Sequence, residues 1–181
     1  GSRYPEALNN FESFLSCIDQ LDQRKKFIFL LPLTLNANVN QIENSLMMHK
    51  FLIDKEKTFS LGEKSVWKKN NIFLLLGLGN FNAWVKIAEV CLSNAGTATE
   101  QSVGLGIPTL SLPGKGPQFT KSFAKRQQRL LGGGVEVCNT KKKLIEKLYI
   151  LLTNTNARDN QVKEGMFRMG ERGASEKIIN Y

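Results

Sequence analysis

The chain has 181 residues, of which 41% are hydrophobic, and a formal net charge of +9. This length and composition fit one globular domain with a buried core and exclude a disordered chain, a collagen and a coiled coil. No apolar run approaches the ~20 residues of a membrane span, and three scattered cysteines without a paired spacing favour a reducing compartment, the cytoplasm.

Helical and strand patterns alternate along the first half of the chain. Pro5 suits the first turn of a helix, and apolar residues then recur at helical spacing. The next apolar run, ended by Pro32, predicts a buried strand. The pattern of residues 51–70 fits either short strands or a loop that carries charged and apolar side chains. The predicted elements are a helix over 5–22, a strand over 27–31 and a helix over 39–50.

The second half repeats the same alternation more regularly. Gly77 and Gly79 end its first strand in a turn, and Gly165 is expected to interrupt its last helix. The predicted elements are a strand over 72–76, a short helix or turn over 81–87, a strand over 89–92, a helix over 97–105, a strand over 108–112, a basic helix over 119–131, a strand over 135–138, and helices over 140–152 and 156–169.

This order of elements predicts an α/β fold, with a Rossmann-like, mostly parallel sheet and helices on both faces. We predict one domain over residues 1–181. Because a doubly wound sheet normally starts with a strand, and here a helix comes first, we expect the chain to be the second half of a longer protein.

The positive charge is concentrated in one third of the chain. Residues 115–147 hold nine basic and two acidic residues and so carry +7. Such a segment indicates an anionic partner, namely nucleotide phosphate, nucleic acid or an acidic membrane surface, or else a solvated helix face. A basic α/β domain that binds RNA or DNA is therefore an alternative function. Few aromatic residues interleave with the basic ones, so specific nucleic-acid binding is not expected. The basic residues are Lys115, Lys121, Lys125, Arg126, Arg129, Lys141, Lys142, Lys143 and Lys147.

Ligands of open parallel sheets bind beyond the carboxyl ends of the strands, and three loops fit that position. The first is Gly1-Ser2-Arg3, where glycine allows close backbone approach and arginine supplies a bidentate cation, although Gly-Ser is also a common cloning remnant. The third is the segment 113–120, in which Lys115, Gly116, Gln118 and Phe119 precede a helix. It suits contacts to phosphate or sugar hydroxyls, or is a tight turn.

The second loop, residues 93–100, lies between a strand and a helix. Gly96 lets the backbone approach a diphosphate, and Thr97 and Thr99 are expected to present hydroxyls beside the exposed N–H groups of the first turn. Thr97 and Glu100 also fit a capping box. No P-loop and no dinucleotide fingerprint is present, and the single histidine, His49, gives no basis for a metal site.

These loops together resemble the C-terminal half of lipid-A-disaccharide synthase and of the proteins related to it, notably from cyanobacteria. The matching segments are Gly1-Ser2-Arg3, Ala95-Gly96-Thr97-Ala98-Thr99-Glu100-Gln101, residues 113–119 and residues 170–175. In the synthase one residue separates the last threonine from the glutamate, whereas here Glu100 follows directly and Gln101 takes the later place. That shift turns a helical side chain by ~100° and changes which residue can reach a ribose.

The resemblance implies that this chain is the donor domain of a GT-B-type glycosyltransferase, an enzyme made of two Rossmann-like domains. The donor domain would bind UDP or a UDP-sugar without a cofactor or metal. The acceptor would be a lipid-linked sugar or a free sugar. The enzyme would be cytoplasmic or bound peripherally to the membrane. The catalytic base would lie in an N-terminal domain, against which the tail, residues 174–181, would pack. The isolated chain is then expected to be inactive. Half of a nucleotide-sugar epimerase is the alternative within the same architecture.

Overall fold

The computed structural model describes residues 4–22, 24–114, 116–170 and 173. Seven α-helices lie in these residues: α1 (Glu6–Ile18), α2 (Val39–Met48), α3 (Phe81–Trp84), α4 (Thr97–Gly104), α5 (Lys121–Leu131), α6 (Lys141–Thr153) and α7 (Thr155–Met169). The strands are β1 (Phe27–Leu33), β2 (Leu52–Ile53), β3 (Ser65–Lys69), β4 (Ile72–Leu78), β5 (Cys91–Leu92), β6 (Thr109–Ser111) and β7 (Val135–Val137).

The strands form two sheets. The first has the order β1-β4-β3-β2, with β1 parallel to β4 and the other two pairs antiparallel. The second has the order β5-β6-β7 and is parallel throughout. The predicted α/β fold with a mostly parallel, Rossmann-like sheet is confirmed.

One core joins the two sheets on one face. Side chains of α1, α2 and α6 pack there against β4 and β6 in a single cluster, with Leu15, Leu46 and Leu144 fully buried. The opposite faces are covered separately. Trp84 of α3 packs on the first sheet, and Val103 of α4 packs with α5 and β7 on the second. Helices therefore lie on both faces, as predicted.

Residues 51–70, for which the sequence left strands and a loop open, contain the two short strands β2 and β3. Ser65–Lys69 pairs antiparallel with β4 through a tight turn, in which Asn70 adopts a left-handed φ of 51°. Val66 and Trp67 of this strand are buried on opposite faces of the sheet, whereas Lys68 is exposed. The strand pairs with one edge of β4, and two hydrophobic clusters cover the two faces of β4, which explains why β4 is apolar on both faces.

Two glycines serve close packing rather than turns. Gly77 lies inside β4, where a Cβ atom would stand 2.5 Å from the Trp84 ring. Gly165 lies inside α7, where a Cβ atom would stand 2.8 Å from Val103. The predicted interruption of the last helix is therefore wrong, because Gly165 brings the α7 backbone against Gly134.

The loop over residues 58–63 is held by one carboxylate. Glu63 accepts hydrogen bonds from the backbone N–H groups of Phe59 (2.6 Å) and Leu61 (2.8 Å) and from the Thr58 hydroxyl (3.0 Å). Burial alone would raise the pKa of Glu63, but these hydrogen bonds outweigh it and lower the pKa to about 2.

The Glu63→Gln variant should be less stable than the parent at pH 7 by about 1 kcal/mol, because an amide replaces a charged acceptor. The folded-state pKa is depressed, so this contribution is complete above the unfolded pKa near 4.5 and is lost as the pH falls toward about 2. Urea unfolding at pH 7 and pH 3 should show the difference between parent and variant shrinking at the lower pH. A difference that stays constant would contradict this account.

Candidate functional site

The loops that follow β5 and β6 meet at the start of α1. Asn94, just after β5, donates its side-chain amide to Asn10 Oδ1 at 3.0 Å and to the Leu112 carbonyl at 2.7 Å. Its own Oδ1 accepts from the Leu112 N–H at 2.9 Å. Asn94 and Asn10 are both buried, so this network fixes the two strand ends and α1 relative to one another.

Glu6 fixes the loop after β6 in the same way. Its side chain is 9% exposed, and its carboxylate accepts from the backbone N–H groups of Phe119 (2.8 Å) and Gln118 (3.2 Å). A Cβ atom at Gly116 would lie 2.5 Å from this carboxylate, so only glycine leaves room for it. The segment 116–119 is thereby anchored to the first turn of α1.

The helix α4 begins at this edge with an open first turn. Its N-cap is Gly96, which makes no side-chain cap hydrogen bond. The capping-box alternative is therefore wrong, because Thr97 lies one position too late to act as the cap. The N–H groups of Thr99 and Glu100 donate to the Gly96 carbonyl, which leaves those of Thr97 and Ala98 without an intrahelical acceptor.

The two threonine hydroxyls have different environments. Thr97 is exposed, whereas Thr99 is fully buried. The Thr99 hydroxyl donates to the Ala95 carbonyl at 2.7 Å and lies 2.7 Å from the Ser93 hydroxyl. The expectation that Thr99 presents its hydroxyl to a ligand is thus wrong, since these internal contacts hold it inside the fold. Its role is to shape the loop.

A glutamine of α5 supports the same loop from the other side. Gln127 donates its amide to the carbonyls of Ala95 (3.2 Å) and Gly96 (3.1 Å) and is 3% exposed. Its Oε1 is the buried side-chain oxygen that has no partner among the described residues. Because an unpaired buried acceptor is costly, this atom is available to a water or to a ligand donor near Gly96.

The remaining predicted residues separate into surface and core positions. Glu100, Gln101 and Gln118 are exposed, Ala98 is half-buried, and Phe119 is 4% exposed, with its ring 5.4 Å from that of Phe123. Phe119 is thus a core side chain that brings its N–H to Glu6. The predictions for Gly1, Ser2, Arg3 and Lys115, and for the tail, lie outside the described residues.

Sequence reasoning missed Glu6, Asn10 and Gln127. No local pattern connects Glu6 with a loop more than 100 residues away. An acidic residue in the first turn of a helix is explained without such a contact, because it is also favourable toward the helix dipole. For Asn10, the one available signal was its position one turn after Glu6, on a helix face that is apolar from Phe11 onward.

The basic segment lies on two different faces. The exposed residues Lys121, Lys125 and Arg129 lie one turn apart along α5 and line a groove of about 720 Å³. The basic residues of α6 lie on the other side of the sheet, since α6 shares its core with α1. Among them, Lys147 pairs with Glu136 at 2.9 Å. The +7 segment is therefore not one continuous surface.

The described residues contain no group of three or more His, Cys, Asp or Glu side chains arranged for a metal ion. Cys17 and Cys138 are buried, and burial raises the pKa of the Cys138 thiol to about 11. His49 Nδ1 lies 3.5 Å from Asp19 Oδ2, at the opposite end of α1 from Glu6. No helix of the described chain is long and apolar enough to cross a membrane.

No protein-family model matches the sequence, and no curated protein matches it. Solved structures do match the fold. One is the UDP-GlcNAc 2-epimerase of Neisseria meningitidis bound to UDP-GlcNAc, with 20% identity and a TM-score of 0.61 over 93% of this chain and 40% of that one. Another is a Listeria monocytogenes protein assigned as a UDP-N-acetylglucosamine 2-epimerase, with 13% identity and a TM-score of 0.58 over 93% of this chain and 41% of that one.

This chain therefore spans about two fifths of the length of these structures. At such low identity the likeness concerns the fold, and it bears on neither the substrate nor the reaction. The chain has the Rossmann-like fold of the C-terminal half of a GT-B-like protein.

Proposed function

We propose that this chain is a UDP-sugar-binding domain and forms part of a longer enzyme. The observation that carries the proposal is the joining of two loops at one edge of the sheet. The α4 start after β5 and the segment 116–119 after β6 are both tied to α1, through Asn10 and Glu6. Ligands of open parallel sheets bind beyond this edge. One neighbouring structure was solved with UDP-GlcNAc.

The diphosphate is proposed to lie at the N-terminus of α4. The N–H groups of Thr97 and Ala98 are available there, and the helix dipole favours an anion. Gly96 leaves the approach to them open, because it carries no side chain. When the bond from the sugar to the diphosphate breaks, negative charge develops on the leaving group, and fixed N–H donors stabilise it without reorganisation. Arg3 and Lys115 are the proposed cations.

We assign the sugar-side contacts to the segment after β6. Gln118 is exposed at this edge while its backbone N–H is held by Glu6. Glu100 and Gln101, both exposed in the first turns of α4, are the candidates for the ribose. These assignments follow the UDP-sugar contacts that the resemblance to lipid-A-disaccharide synthase implies.

Two reactions fit such a domain. The sequence motifs favour glycosyl transfer of the kind catalysed by lipid-A-disaccharide synthase. Epimerisation of a UDP-sugar is the alternative, and two proteins of the same fold are described as UDP-N-acetylglucosamine 2-epimerases. The resemblance to lipid-A-disaccharide synthase implies that the catalytic base lies in another domain of the longer enzyme. We therefore expect the 181-residue chain to bind UDP but to catalyse neither reaction. Product formation above a buffer blank, in a coupled assay for either reaction, would contradict this expectation.

The binding proposal is tested by a thermal-shift comparison of UDP, UDP-GlcNAc, UMP and ADP. A ligand that binds only the folded chain stabilises it by ~2.7 kcal/mol at a concentration 100 times its Kd. UDP and UDP-GlcNAc should raise the unfolding temperature, and UMP should raise it less because it lacks the second phosphate. Equal effects of all four nucleotides would argue for unspecific anion binding.

A second candidate property is contact with an anionic membrane through α5. Its exposed side carries Lys121, Lys125 and Arg129 along one groove, next to Leu130, which is 70% exposed. Each basic residue near an anionic surface contributes ~1 kcal/mol. The proposal concerns α5 alone, because α6 faces the other way.

Reversing two charges on α5, in the Lys121→Glu/Lys125→Glu variant, should weaken binding to phosphatidylserine vesicles at low salt at least about tenfold. The Lys141→Glu/Lys142→Glu variant is the matched control, since it makes the same change at the start of α6. It should keep most of the parental binding. Equal sedimentation of the parent with neutral and anionic vesicles would end the proposal.

A further inference from the structure

The face of the first sheet that points away from α1 is covered only in part by the described residues. Trp84 of α3 packs over the carboxyl half of β4, where Gly77 makes room for its ring. Trp84 is also the one helical side chain that the described residues contribute to the cluster on this face. Toward the amino end of β4, the cover is the ring of Phe59, 5.6 Å from that of Phe73. Because both faces of such a sheet are ordinarily covered, this open stretch is a candidate contact surface.

Four residues form one row across this open stretch. The strand register pairs Leu52 of β2 with Lys68 of β3, and it pairs Lys68 with Phe73 of β4. Phe73 is paired in turn with Ile28 of β1. Paired residues point to the same face of a sheet, so all four lie on the face that Trp84 shares with Phe73. With ~4.8 Å between neighbouring strands, this amino-end row is ~14 Å long.

Both ends of the amino-end row are apolar and exposed. Leu52 is 73% exposed and Ile28 is 45% exposed, whereas Phe73 between them is 8% exposed. Apolar residues that are exposed singly are common on protein surfaces, but these side chains share one row on an open sheet face. The row therefore indicates contact with a partner that offers an apolar environment.

Three exposed lysines surround the aromatic rings of this face. The Nζ atom of Lys68 lies 5.4 Å from the centroid of the Phe73 ring, and that of Lys26 lies 5.6 Å from it. The Nζ atom of Lys57 lies 5.5 Å from the centroid of the Phe59 ring. Among the described residues, none of these three lysines forms an ion pair. Because like charges repel one another, three ammonium groups around two touching rings favour an anionic partner.

A lipid membrane fits a contact that is both anionic and apolar. The bases of a nucleic acid would need an exposed ring to stack on, and the Phe73 ring is buried. Protein interfaces are enriched in arginine and depleted in lysine, whereas the three cations here are all lysines. An anionic membrane attracts lysines to its headgroups and takes aliphatic side chains into its acyl boundary.

We propose that the amino-end row binds the surface of an anionic lipid membrane. Ile28 and Leu52 enter the boundary between headgroups and acyl chains. The three lysines meet the lipid phosphates, while their aliphatic stems lie along the apolar surface. This contact is separate from the α5 groove, because α5 packs on the second sheet. It does not depend on UDP binding.

Sedimentation with vesicles of phosphatidylcholine and phosphatidylserine at low salt tests the apolar part of the contact. Leu52→Glu should bind at least about tenfold more weakly than the parent, because a carboxylate replaces an inserted aliphatic side chain and is repelled by anionic lipid. Leu35→Glu is the matched control. Leu35 is 77% exposed and follows β1 at the opposite end of the sheet, so this variant makes the same change away from the row. It should keep most of the parental binding.

Two further pairs of variants test the lysines and the insertion. Lys26→Glu/Lys57→Glu should weaken vesicle binding at least about tenfold, whereas Lys141→Glu/Lys142→Glu, with the same change of net charge on α6, should keep most of it. The fluorescence of Leu52→Trp should shift to shorter wavelength on anionic vesicles, and that of Leu35→Trp should not. All the substituted residues are exposed, and circular dichroism confirms that each variant is folded.

The proposal is overturned if Leu52→Glu binds the vesicles as strongly as Leu35→Glu, or if the parent sediments equally with neutral and anionic vesicles. It is also overturned if binding is lost only in the α5 variant Lys121→Glu/Lys125→Glu, since α5 then makes the contact alone. A parent that binds soluble polyglutamate or RNA through Leu52, but not vesicles, would assign the row to a protein or a nucleic acid and would overturn it too.

Discussion

Replacing Gly96 with valine is expected to weaken UDP binding at least about tenfold, a loss of ~1.4 kcal/mol, while the chain stays folded. The β-branched side chain would stand over the first turn of α4 and keep the diphosphate from the N–H groups of Thr97 and Ala98. The site has room for the new Cβ atom. The φ of Gly96 is −78°, and a Cβ atom there meets only Phe123, at 3.8 Å. Titration calorimetry measures the affinity, and circular dichroism confirms the fold.

The Thr97→Val variant is the matched control for this prediction. It places the same branched shape one residue later and removes an exposed hydroxyl, but it leaves the backbone N–H groups in place. We expect it to cost less affinity than Gly96→Val, because the backbone donors and the helix dipole carry the proposed contact. If the two substitutions weaken UDP binding equally, the threonine hydroxyl is the contact rather than the backbone.

The second large effect is expected from Gly116→Ala. The new Cβ atom would lie 2.5 Å from the Glu6 carboxylate and must displace it from the N–H groups of Gln118 and Phe119. A buried carboxylate and two backbone donors would lose their partners, so we expect a destabilisation of about 1–3 kcal/mol. UDP affinity should fall as well, because the segment 116–119 would no longer be anchored to α1.

Gly114→Ala is the control in the same loop. Its Cβ atom would meet Asn10 Oδ1 at 3.6 Å, an ordinary contact, and the variant should lie within about 0.5 kcal/mol of the parent. Urea unfolding and UDP titration of both variants decide the matter. The anchoring role of Glu6 is refuted if the alanine at 116 is as harmless as the alanine at 114.

The central strands of the fold could be predicted from sequence. The apolar run at β4 has the composition of a strand that is buried on both faces, and the structure has a strand there. A strand was also predicted over 108–112, and β6 lies within those residues. The strand β3 could not be assigned, because it buries only Val66 and Trp67 and ends in two lysines, Lys68 and Lys69. The predicted interruption of the last helix at Gly165 was wrong for a related reason. A glycine at a helix crossing has the same local sequence as a glycine that ends a helix.

The candidate site was predictable in position but not in detail. A loop with Gly96 between a strand and a helix is a local signal, and the structure has α4 starting there. The burial of Thr99 depends on Ser93 and Ala95, and the anchoring of Phe119 depends on Glu6, more than 100 residues earlier. Neither contact leaves a periodic pattern, because the first arises from the conformation of the loop and the second from tertiary packing.

The most direct test of the central claim is a map of backbone amide shifts while UDP is titrated into the 181-residue chain. We predict saturable shifts at Thr97, Ala98, Gly116 and Gln118, which lie at the carboxyl edge of the sheet, and none along Lys121–Arg129 on α5. Saturation at these four amides, with the same map for UDP-GlcNAc, would locate the nucleotide at the α4 start. Shifts confined to α5, or no saturable shift at millimolar UDP, would contradict the assignment of this edge as a UDP-sugar site.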